Sequence, residues 1–263
     1  MSDKKTSFIN FPELPASVDN AVKNLTDKPT QGIGQTFADA WYLVFGGITQ
    51  AADKRRMKYA HDLELYKQEL SQAISSIPKE DLIEPDIQTT AQALENSKYC
   101  IGSNDLRKMF VNLISGSMDN NYTQSIHPSF AEIIKQMSPN DARILKTFQP
   151  NQIFPLVDYV LTNQQTLSSE IQFPTVYISS LPDIDLKAAS FAISSLERLG
   201  IITIDRDSFC TDKSVYIPYE KTDYYKEFSS KAIRFYASKR ADMHKYLGRL
   251  TPLGKNFFEV CVK

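Results

Sequence analysis

Cysteine, histidine and tryptophan are scarce in this chain, with three, three and one in 263 residues, and none falls into a metal-binding or disulfide pattern. Cys100, Cys210 and Cys261 are an odd number set far apart. They lack the paired spacing of metal sites and disulfide frameworks, so they read as free thiols in a reducing cytosol. His127 and His244 have no cysteine, second histidine or suitably spaced acid near them in sequence, so neither a metal nor another cofactor is expected. An excess of one charge is missing too. Thirty basic against 31 acidic side chains leave a formal net charge of -1, which excludes a global field drawing the molecule onto nucleic acid or an acidic membrane. Such contacts must be local.

Long apolar runs are also absent. The best candidate, Ile33 to Ala52, is interrupted by Asp39. A bilayer needs about 20 predominantly apolar residues, so no transmembrane span is expected, although contact with a membrane surface is compatible with the pattern. Met1 to Phe8 has neither the apolar run nor the small-residue cleavage site of a secretory signal, and the expected location is cytoplasmic. No G-x-x-x-x-G-K-S/T loop, G-x-G-x-x-G turn or G-x-S-x-G elbow is present, so nucleotide and acyl chemistry lack their usual signatures.

What the chain does have is apolar periodicity. Apolar residues make up 42%, enough for substantial cores. After a proline-containing arm with a short helical stretch from Ser17 to Leu25, Phe37, Trp41, Val44, Phe45, Ile48 and Ala52 recur every three or four residues. The pattern continues through Leu63, Tyr66, Leu70, Ile74 and Ile77 to a stop at Pro78, with Gly46-Gly47 as a bend or close crossing between the halves. Helices are predicted over about 85–99, 104–118 (Ser103 as N-cap) and 128–137. Together they suggest an α-helical bundle.

In the second half, Ser138-Pro139-Asn140-Asp141 reads as a cap and first turn opening a helix. Another helix is predicted from Ile153 to Leu161. Leu186 to Leu199 is a strong helix stopped by Gly200, and Ile201 to Ile204 reads as a strand. With "LTPLG" at 250–254, where Thr251 would cap a last helix, this ending resembles that of winged-helix domains. A long insertion with a helix from Tyr224 to Tyr236 departs from that pattern. The expected fold is therefore mainly α: an arm (1–29), a helical bundle domain with long helices (30–137), and a winged-helix-like α+β module with a small β-hairpin (138–263) carrying an insertion at about 205–248.

Three surfaces are candidates for function. Arg56 and His61 match the arginine-x4-histidine spacing of helical ribonucleases of the HEPN superfamily, where arginine would stabilise phosphate charge and histidine would move a proton. Five residues along a continuous helix put such side chains about 140° apart, so a solvated charged face is the competing reading. Arg198, Lys231, Arg234, Lys239, Arg240, Lys245 and Arg249, interleaved with tyrosine and phenylalanine, could follow a nucleic-acid backbone. The expected recognition helix offers mainly Ser190, Ser194, Ser195, Glu197 and Arg198, a poor set for reading base edges. The stripe of Phe37, Trp41, Val44, Phe45 and Ile48 is a candidate for self-association or membrane-surface contact, with core packing as the competing reading.

Residues 14–64, "LRKMFVNLISGSMD" at 106–119, "HPSFAEIIKQMSPNDARIL" at 127–145 and the "LTPLG" ending together resemble the Abi-alpha family of bacterial abortive-infection proteins. The resemblance implies defence against bacteriophage, in which an infected cell stops growing before the phage matures. It carries no catalytic residues with it. The expectation is a sensing or interaction module without evident catalysis, with a ribonuclease, a DNA-binding regulator and a membrane-surface effector as alternatives. Expected partners are a second copy of the chain and a phage or host protein; nucleic acid and peripheral membrane are the further partner classes.

Overall fold

A computed structural model describes residues 33–45, 54–236 and 238–262. The arm, its Ser17–Leu25 stretch, Gly46-Gly47 and Ile48 lie outside the described residues.

The first half is helical, and its elements follow the apolar periodicity. Helix α1 (Ile33–Phe45) turns Phe37, Ala40, Trp41, Val44 and Phe45 into the core, with the Trp41 ring tilted against those of Phe45 (4.5 Å) and Tyr66 (5.7 Å). Tyr66 belongs to α2 (Lys54–Ser75), which ends before Pro78. Helix α3 (Ile87–Ser97) is capped by Asp86, whose carboxylate accepts from the Thr89 N–H, and α4 (Asn104–Gly116) follows Ser103. Ser103 occupies the N-cap position without a side-chain capping bond. Helix α4 is buried on most sides and packs against α2, α3 and the helices that follow, α5 (Phe130–Gln136) and α6 (Pro139–Lys146). Its Arg107 grips both oxygens of Glu69 at 2.9 and 3.0 Å, tying α4 to α2. The expected cap of α6 is a full capping box between Ser138 and Asp141.

The second half overturns the mainly α expectation. Strands β1 (Ile153–Asn163), β2 (Ser169–Val176), β3 (Ile202–Asp205) and β4 (Lys239–Leu250) form one antiparallel sheet in the order β2-β1-β4-β3. The fold is α+β, and the expected bundle of long helices followed by a winged-helix-like module with a small hairpin is not found. Only α2, at 22 residues, is long, and every other described helix has 13 residues or fewer. The decisive error is the helix predicted at 153–161. That segment is β1, a central strand covered on both faces, so nearly every residue is buried and the alternation that marks a strand disappears.

One sheet face carries Phe154, Leu156, Tyr246, Leu250, Ile202 and Ile204 into the same apolar cluster as the helices, together with Ala189, Ile193 and Leu196 of α7 (Leu186–Arg198). The other carries Val157, Tyr159 and Met243 into a second cluster under the insertion, formed by the turn Lys213–Tyr216, α8 (Ile217–Glu220) and α9 (Asp223–Phe235). Tyrosine hydroxyls fasten the insertion down. Tyr159 donates to the Tyr219 carbonyl (2.7 Å), Tyr219 to that of Pro155 (2.6 Å) and Tyr216 to that of Tyr246 (3.1 Å). Each aromatic body fills the cluster while its polar end finds a backbone partner. Thr251 caps α10 (Pro252–Phe257) as expected, and a wide turn, Phe258–Val262, returns to α4, where the Asn112 side chain donates to the Cys261 carbonyl (3.0 Å).

Candidate functional site: the free end of the sheet

The β1–β2 turn and the junction of α9 with β4 meet at one end of the sheet. Asn163 pairs with Lys239, and the Gln164 N–H donates to the Ser238 carbonyl (2.8 Å). From this end project side chains the core does not use: Leu167 is 74% exposed, Ile233 84% and Phe235 65%, with Ile171 and Tyr236 also exposed. Leu167 adopts φ +58°, a left-handed conformation that costs a branched L-residue about 1–2 kcal/mol. An apolar side chain is thus held out in solvent on strained backbone. Helix α9 supplies its share because only Tyr224, Tyr225, Phe228 and Ala232 point at the sheet. Ile233 and the last turn run past that cover.

Cations surround these side chains. Arg234 lies over the Phe235 ring (5.4 Å) and Lys239 over that of Tyr236 (5.7 Å). Lys231 pairs with Glu227 (2.6 Å), Lys239 with Glu170 (3.3 Å) and Arg240 with Asp242 (3.1 Å). These pairs are partly or well exposed, where such contacts contribute about 0–1 kcal/mol, so the cations can exchange partners.

Of the seven basic residues singled out from sequence, the fold gathers four here: Lys231, Arg234, Lys239 and Arg240. Lys245 lies further along β4 over the Tyr216 ring (5.1 Å), Arg249 pairs across to Thr203 on β3, and Arg198 donates to the Gln136 side chain (3.0 Å) at the end of α7. The polar residues of α7 serve the fold: Ser195 donates to Asp141, Glu197 accepts from Arg206, and Ser190 is buried. Phe37, Trp41, Val44 and Phe45 are buried in the core of a single chain. His61 is exposed on α2, and the Arg56 side chain lies outside the described residues. What sequence reasoning missed is the aliphatic part, Leu167, Ile171 and Ile233. The signal for Leu167 and Ile171 was one isolated Leu and one isolated Ile in an otherwise polar stretch, Thr162 to Gln172.

A family model described as abortive infection alpha matches residues 58–261, most of the chain and all of the sheet. The chain belongs to this family. No curated protein and no solved structure matches it significantly. The abortive infection alpha segment thus contains both the free end of the sheet and a buried polar junction further along β1 and β4, away from that end. Between Val157 and Tyr159 the β1–β2 register slips, and Thr175 adopts φ +52°. The Asp158 carboxylate holds that bulge, accepting from the Thr175 N–H (2.7 Å) and the Tyr246 hydroxyl (2.5 Å). Burial, and then the adjacent Asp158, push the Tyr246 phenol well above its ordinary range, which keeps it a donor. Nearby Arg206 is forked onto Glu197 (3.1 and 3.3 Å); that bond chiefly raises its pKa, with Asp158 contributing less. The bulge locally increases the twist of the β1–β2 pair at the end remote from its turn. Among the described residues no helix is long and apolar enough to cross a membrane.

Proposed function

We propose that this abortive infection alpha protein acts in phage defence as a sensing or interaction module, and that the free end of the sheet is its working surface. The observation that supports the reading is the exposure of Leu167, Ile233 and Phe235, one of them on left-handed backbone, at a place the two cores do not require. Natural sequences retain such costs at functional sites. Family membership supplies the biological setting, and the surface supplies the means of contact.

The test is plaquing efficiency of phage on a susceptible bacterium carrying the gene. A Leu167→Gly/Phe235→Ser variant at matched protein level should lose protection, whereas an Arg56→Ala/His61→Ala variant should protect as wild type does. The reverse pattern would replace the contact reading with RNA cleavage by the Arg56 and His61 pair.

A further inference from the structure

We infer that the free end of the sheet docks onto an anionic lipid surface, an inference that rests on the contact reading of the same site. Two observations narrow the occupant. The first is the kind of apolar group: Leu167, Ile171 and Ile233 have no π-face, so they cannot stack on bases as aromatic platforms for single strands do. Their burial is favourable in hydrocarbon, at the level where amphipathic surfaces settle between headgroups and acyl chains. Phe235 and Tyr236 suit the same level, where aromatic rings are enriched.

The second observation is charge. Lys231, Arg234, Lys239 and Arg240 stand against Glu170, Glu227 and Asp242 around this end, a local excess of one positive charge on a chain whose total is -1. Basic side chains beside exposed aliphatic and aromatic ones fit a surface that is negative outside and apolar beneath. Each Lys or Arg near an anionic leaflet adds about fivefold to affinity, and each inserted large apolar side chain about tenfold. The exposed ion pairs leave the cations free to turn toward phosphates. Helix α9, β4 and the β1–β2 hairpin hold both sets on regular secondary structure, so little ordering accompanies docking.

The test is sedimentation of the full chain with vesicles of phosphatidylcholine, with and without phosphatidylglycerol. The protein should sediment with the phosphatidylglycerol vesicles and remain in solution with phosphatidylcholine alone, and retention should fall as salt rises. Arg234→Gln/Lys239→Gln should weaken retention about twenty-five-fold and Leu167→Ser/Phe235→Ser about a hundredfold, from the same per-residue factors. Phe191→Ser, which removes a 71% exposed ring from α7, should change nothing. Thermal midpoints matching wild type show that each variant is folded. Absent retention at low salt, equal retention on both vesicle types, or retention indifferent to the variants overturns the inference. Binding to duplex DNA or single-stranded RNA without vesicle binding also overturns it and assigns the cations to nucleic acid. If vesicles are not bound but Leu167→Gly/Phe235→Ser still abolishes phage protection, the contact reading stands and its lipid occupant falls.

Discussion

Replacing Tyr246 with phenylalanine removes one oxygen atom from the buried junction beside the bulge and leaves the ring in place. The Asp158 carboxylate then keeps the Thr175 N–H and loses the Tyr246 hydroxyl, one of its two direct donors. A hydrogen bond to a charged partner contributes about 1.5–3 kcal/mol, and a buried carboxylate cannot recover the loss from water. Asp158 is only 5% exposed, so the upper part of that range applies and a cost of about 2 kcal/mol is expected. At roughly 2 °C per kcal/mol for a chain of this size, the thermal midpoint should fall by about 4 °C. Urea unfolding of wild type, Tyr246→Phe, Asp158→Asn and the double variant closes a cycle in which the two side chains should couple by more than about 1 kcal/mol. Additive single effects, or an unchanged midpoint for Tyr246→Phe, would refute the idea that this pair holds the bulge.

Gly254 touches Ile201 so closely that an added Cβ would lie 1.9 Å from a backbone oxygen, so Gly254→Ala should cost about 3 kcal/mol in chemical denaturation. Leu167→Gly removes left-handed strain worth about 1–2 kcal/mol and adds glycine's entropy cost of about 0.5–1 kcal/mol, so the thermal midpoint should rise by a degree or so. A fall would show that Leu167 packs on something in the folded chain. Burial raises the phenols of Tyr66, Tyr159, Tyr219 and Tyr246, with Tyr159 pushed up to about 12. Because the fold favours the neutral form, this stability is full below the unfolded value of about 10 and is lost as pH rises through the folded values. Tyrosinate absorbance against pH should therefore show a group of tyrosines ionising only as the chain unfolds.

Where one face of an element meets solvent, its period was readable: α1, α2, α4 and α7 fall close to where apolar spacing put them, and Ser138, Thr251 and Gly200 mark the ends they were expected to mark. Where both faces are covered the period vanished, which is why β1 read as a helix. Strand β2 was hidden for a different reason. Pro174 and Thr175 sit in a bulge of an edge strand, where a proline does no harm to the ladder, yet in sequence they look like a loop. The cations of the free end were visible as composition, but their sorting was not. Whether Lys239 or Lys245 stands at the tip depends on the β1–β4 register, and no local pattern encodes it. The stripe on α1 was equally visible, and only the position of Tyr66 reveals that it is core within one chain.

The proposed contact function of the free end of the sheet stands or falls on phage plaquing with the Leu167→Gly/Phe235→Ser variant. The variant should be folded and fully expressed, and phage should plate on cells carrying it as they do on cells without the gene. Undiminished protection by that variant would contradict it.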